Sequence, residues 1–273
     1  MKKIKDYIKR ILKLITLEEM QILPGHLAFN IVLMIVPIFS MIGVLGSNLG
    51  VSKLLGALED NVPNAVLTII ESALNVESSG SLVLFIIFGI WLVSGGCRAI
   101  IAASDILYKI KDISILKSFI KSFLMVIILF MLISFMILVP VLGDFIFDFL
   151  DSHINERSFK FVLALYDFFK YPLSIILMFI SIKFLYTLAP SVRIDSSYMN
   201  KGAWFTSVSW LLLTRIYSFH LNNYSNYNVY YGSLSNILIL LLWVYLLAFL
   251  FTVGIALNAN TYFIISKEKS ENN

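Results

Sequence analysis

Residues 81–100 read SLVLFIIFGIWLVSGGCRAI. From Leu82 to Val93 every residue is apolar or glycine, and between Ser81 and Tyr108 the only charged residues are Arg98 and Asp105. A helix needs about 20 apolar residues to cross roughly 30 Å of hydrocarbon. This stretch is long enough, and it decides the solvent in which the chain folds. The whole sequence agrees: 59% of its 273 residues are hydrophobic and 14% are charged, with a mean hydropathy of +0.87. Soluble domains carry roughly 25% charged residues. The expectation is an all-α, multi-span membrane protein.

Working outward, five further stretches have the length of a span. They lie at about 26–50, 119–143, 168–188, 202–221 and 236–264. With 81–108 they predict six transmembrane helices in one bundle over 21–265, followed by a disordered tail at 266–273. The first span is too far from the start to be a cleaved leader. Ahead of it, Ile4, Ile8, Ile11, Leu12 and Ile15 alternate with lysines at helical spacing. Residues 1–20 therefore read as a basic amphipathic helix lying on anionic lipid. The 51–80 connection carries apolar residues spaced for one or two short helices near the opposite surface.

Lysine and arginine set the orientation. The termini and the even-numbered connections hold fourteen of them, against four in the other connections, with three inside spans. Both termini are thus expected to face the cytoplasm. This asymmetry accounts for the pI of about 9.0 without nucleic acid. The single cysteine, Cys97, and three scattered histidines offer no disulfide and no metal-ligand spacing. No cofactor is implied.

Ionisable groups at depth are the strongest functional cue in a membrane chain. Arg98 lies 17 residues from Ser81, roughly 25 Å into the bilayer at about 1.5 Å per residue. One reading is an anchor that snorkels to the inner edge. The other rests on Ser94, Arg98, Ala102, Asp105 and Lys109, which share one helical face. With Gly95 and Gly96 as a hinge, that face would line a cavity open to the cytoplasm. Lys183 and Arg215 fall inside the fourth and fifth spans. If a transport path exists, Arg98, Lys183 and Arg215 should line a common cavity that favours an anionic group. The first span has its own polar face in His26, Asn30, Pro37, Ser40 and Ser47, and Pro37 is expected to kink it. Ordinary helix packing also accounts for that face. In HLNNYSNYNVYYGSLSN, 220–236, Tyr231 and its neighbours read either as an aromatic belt or as a mouth for a polar headgroup. Gly232 would turn the chain back into the membrane there.

Several segments together resemble one family. FLYTLAP (184–190), KGAWF (201–205) and YYGSLSNILILLLWVYLLAFLFTVGIALNA (230–259) are similar to the C-terminal third of the BrkB/YihY family of bacterial inner-membrane proteins, once labelled ribonuclease BN-like. GHLAFNIVLMIVPIFSMIGVLG and WLVSGGCRAIIAASDILY resemble its first two spans, so every span except the third is touched. The chain departs from the family pattern at Asp105, often Asn, at Phe29-Asn30, often paired aromatics, and at Gly254–Asn258, where an acid is common. The resemblance implies a six-span bundle with roles in envelope lipid traffic or serum resistance. The three in-span basic residues, the kinked or glycine-hinged helices and the lack of a catalytic cluster favour a transporter or flippase of an anionic amphiphile first, acting on membrane lipid and driven by a gradient or a partner ATPase. A non-transporting scaffold, working as a homo-oligomer or with an envelope-assembly partner, is the alternative. A membrane-bound hydrolase is remote, because no acid–base pair or metal cluster gathers in a loop.

Overall fold

The computed structural model describes residues 13–45, 62–74, 82–111, 116–131, 175–224 and 232–271, together with Leu55 and Pro172. The described residues form helices joined by turns and short irregular segments, with no strand among them. Helix α1 is Glu19–Leu45, α2 is Asn64–Leu74 and α3 is Leu82–Leu107. Helix α4 covers 116–131, and α5 is Ile175–Leu188. A 3-10 turn at Ser196–Met199 leads into α6, Asn200–Tyr224, and a second at Gly232–Leu234 leads into α7, Ser235–Glu271.

Among the described residues, three helices are long and apolar enough to cross a membrane: Glu19–Met41, Ile87–Leu107 and Ser235–Ser266. Helix α5 is apolar but shorter. Helix α6, at 25 residues, is about 37 Å long; Lys201, Arg215, His220 and its asparagines dilute its apolarity. The third expected span is described only to residue 131, and the basic amphipathic segment only from Lys13.

Several boundaries differ from expectation. Helix α1 starts at Glu19, ahead of the expected 26, and runs unbroken through Pro24 and Pro37. Pro37 is buried, with its Cβ facing Gly89. Helix α7 continues to Glu271, so most of the tail expected to be disordered is helical. Lys267, Glu268 and Lys269 there are good helix formers. The short helix expected between the first two spans is α2, which buries Val66 and Ile70 against α1 and α7.

Helix α7 is the post around which the others stand. It packs on α1, α6, α2 and α3, and every residue from Phe251 to Ala259 is buried. A helix apolar on all sides belongs in an interior. Helices α6 and α7 form an antiparallel hairpin whose rungs are polar. Tyr217 donates to the Ile239 carbonyl at 3.0 Å, the Trp243 indole to Thr214 Oγ1 at 3.3 Å, and the Trp210 indole to the Leu247 carbonyl at 2.9 Å. Gly202 N–H donates to Asn258 Oδ1 at 2.7 Å. The outward faces are greasy: Ile22, Phe29, Leu33 and Val36 on α1, and Trp204, Val208, Leu212 and Ile216 on α6, are all exposed. Water does not tolerate apolar faces of this extent, whereas lipid does.

Candidate functional site

At the middle of the bundle six helices leave a cavity of about 250 Å³. Its wall is Ile31, Met34, Ile35, Ile38 and Phe39 of α1, Ile100 of α3, Leu129 of α4, Met178, Ser181, Ile182 and Leu185 of α5, Trp210 of α6 and Phe251 of α7. Ser181 is the single hydroxyl among aliphatic, aromatic and thioether side chains. A second hollow of about 340 Å³ lies between Leu14, Leu107, Ala256, Ala259, Asn260, Phe263 and Ile264.

The in-span basic residues line neither hollow. The Arg98 guanidinium is half-buried and sits 5.3 Å from the centre of the Phe119 ring on α4, a cation–π contact. Lys183 is half-buried on α5 and Arg215 is exposed on α6. None of the three lines the apolar cavity in which a common basic lining was expected. The physical reason is angular: Lys183 follows the cavity-lining Ile182 by one residue, about 100° around the helix.

The polar stripe of α3 is likewise closed by protein. Ser94 is fully buried and donates to the Trp91 carbonyl at 2.7 Å within its own helix. Asp105 is fully buried; its carboxylate accepts from Ser191 N–H at 2.7 Å and from Ser191 Oγ at 2.5 Å. Helix α3 ends there in a Schellman cap: Ile110 N–H reaches the Asp105 carbonyl at 2.9 Å and Lys109 N–H the Ile106 carbonyl at 3.0 Å, with Lys109 at φ 56°. On the other side of the Ala189-Pro190-Ser191 turn that follows α5, Lys121 Nζ of α4 donates to the Ala189 carbonyl at 3.2 Å and to the Pro190 carbonyl. A carboxylate thus holds the N–H side of the turn and an ammonium holds its carbonyls.

Helix α3 runs continuously through Gly95 and Gly96, the pair expected to hinge it. A Cβ on Gly95 would meet only Arg98 of its own helix, while one on Gly96 would strike the Met34 side chain of α1. Asn30 is half-buried and turns back to the His26 carbonyl at 2.8 Å. Gly232 has φ 54° and opens the 3-10 turn before α7, as a chain reversal requires. Tyr231 lies outside the described residues.

Sequence reasoning missed the tightest polar site. Tyr186 of α5 is buried, exchanges a 2.7 Å hydrogen bond with Thr206 of α6, and donates to the Phe251 carbonyl of α7 at 2.8 Å. Gly254 makes room for it: a Cβ there would fall on both Tyr186 Oη and Thr206 Oγ1. A Cβ on Gly202 would likewise fall on the Gly254 carbonyl and the Asn258 amide. A signal existed: Gly202, Thr206, Trp210, Thr214 and Tyr217 recur at helical spacing along α6 and all face α7.

These junction residues lie in the segments FLYTLAP, TVGIALNA and KGAWF with Thr206 just beyond it. The chain is 27% identical over 265 residues to the putative ribonuclease-like protein YfkH of Bacillus subtilis (strain 168), covering 93% of this chain and 94% of that one. No solved structure matches it. A family model described as virulence factor BrkB matches residues 15–271. A match of that extent, over a helical chain with membrane-length apolar helices, places the protein: it belongs to the BrkB family.

Proposed function

We propose that this membrane protein is a transporter or flippase of an anionic amphiphile, a lipid or lipid-like molecule of envelope biogenesis, whose apolar chain passes through the central cavity. The cavity carries the reading. Its wall has almost nothing to hold water, and an apolar void of this kind stays dry. The exposed apolar faces around it make acyl chains the material at hand. Arg98 and Lys183 lie outside the cavity wall, so the cavity accounts for the acyl chain, and the anionic headgroup rests on the excess of basic over acidic residues within the spans. The charge asymmetry of the connections supports a plasma-membrane location with cytoplasmic termini. This reading includes no hydrolytic step.

The test follows Trp210 as the sole tryptophan, with Trp91, Trp204 and Trp243 changed to Phe. In vesicles of lipid brominated at mid-chain, Trp210 fluorescence should be quenched, and Ile182→Phe, which fills the cavity, should relieve the quenching. In vesicles carrying a fluorescent anionic phospholipid, the wild type should speed its movement between leaflets and Ile182→Phe should not. Absence of both effects refutes the reading. A scaffold is the second reading, favoured by one observation: the polar stripe of α3 is capped by Phe119 and Ser191 rather than open. It expects neither effect.

A further inference from the structure

The turn between α5 and α6 is held from opposite sides by two charges of opposite sign. Asp105 takes the amide and hydroxyl of Ser191, and Lys121 takes the carbonyls of Ala189 and Pro190. Asp105 ends α3, Lys121 lies near the start of α4, and the turn follows the end of α5. Those three helices also wall the cavity, through Ile100, Leu129 and Leu185. The clamp therefore ties together the ends of three of the six walls. It lies at the end where the charge bias places the cytoplasm, and Asp105 is wholly buried.

We propose that Asp105 and Lys121 are the cytoplasmic gate of the cavity, closed in this conformation by their grip on the Ala189-Pro190-Ser191 turn. Opening exchanges the Ser191 and carbonyl contacts for water and lets α5 swing from α3 and α4. Charge-assisted bonds are the strong ones, so the gate rests shut and opens as a unit. Both positions are positioning residues. The inference rests on the transport reading for what passes the gate, but not for whether the gate opens.

The chain carries its own reporter. Cys97 is its only cysteine, is fully buried, and lies one turn from the cavity-lining Ile100. In inverted membrane vesicles a membrane-impermeant maleimide should label wild-type Cys97 slowly. Asp105→Ala and Lys121→Ala should each raise the rate at least about tenfold, the factor that loss of one hydrogen bond to a charged group supplies. Asp105→Asn, which keeps an acceptor, should raise it less. Tyr217→Phe, which loses a 3.0 Å bond far along the α6–α7 hairpin, should leave it unchanged. An equal rise in Tyr217→Phe, or no rise in either gate variant with its thermal midpoint intact, overturns the proposal. As a second measurement, Cys97→Ser with Asp105→Cys and Ser191→Cys should form a disulfide that stops lipid transfer until reduced; transfer through the oxidised bridge also overturns it. Faster Cys97 labelling in a protein that moves no lipid would leave the gate standing and refute the transport reading.

Discussion

Gly254→Ala tests the three-helix junction most directly. The added Cβ falls on Tyr186 Oη and Thr206 Oγ1 together, and both belong to buried residues, tied to each other and to α7 backbone. Overpacking a close-fitted interior costs about 1–3 kcal/mol. Displacing the tyrosine hydroxyl also loses two hydrogen bonds, worth about 0.6 kcal/mol each within a membrane protein. The sum is about 2–4 kcal/mol, or a fall in midpoint of order 10 °C at about 2–4 °C per kcal/mol. The diagnostic is a double-mutant cycle with Tyr186→Phe, followed by reversible unfolding in mixed micelles. Removing the hydroxyl removes one of the two atoms that the new methyl meets. Gly254→Ala should therefore cost at least about 1 kcal/mol less in the Tyr186→Phe background than in the wild type. Additivity within about 0.5 kcal/mol, or a Gly254→Ala protein as stable as the wild type, would refute the junction.

Gly96→Ala should be far milder, costing less than about 1.5 kcal/mol in the same assay, because its Cβ meets only the side chain of Met34, a flexible thioether that can shift. Lys109→Gly should stabilise the protein by about 1 kcal/mol, since Lys109 sits at φ 56°, where a side chain costs about 1–2 kcal/mol; an unchanged unfolding midpoint would count against the Schellman cap. Ile182→Phe should raise the thermal midpoint while it abolishes lipid transfer, since filling a void commonly adds about 0.5–2 kcal/mol. Loss of transfer accompanied by loss of stability would point instead to misfolding.

The helices were legible because lipid imposes a simple rule. Uninterrupted apolar length predicted 81–108 and 236–264, and the structure places helices at Leu82–Leu107 and Ser235–Glu271. Hydropathy is blind to which side of a helix meets lipid and which meets another helix, since both are apolar. Arg98 was therefore legible as an in-span charge, while its contact with Phe119 was not. Asp105 stood out as a candidate, yet its partner Ser191 lies 86 residues away, beyond any local pattern. Gly95-Gly96 attracted notice as a pair, whereas the isolated Gly202 and Gly254 make the closer helix approaches. The cavity left no mark of its own: it is a shortage of volume among ordinary isoleucines, methionines and leucines.

The hydrogen bonds at α7 bear on how the protein is made. Within this sequence α7 leaves the ribosome after the other helices have entered the bilayer. Until it arrives, Tyr186, Trp210, Tyr217 and the Gly202 amide lack the acceptors at Phe251, Leu247, Ile239 and Asn258. Donors left bare in hydrocarbon are costly, so a nascent chain halted before Ser235 would present several at once to membrane quality control. Translation of the last helix through Asn258 is then the committing event of biogenesis, and a premature stop codon within Ser235–Asn258 would behave as a null allele.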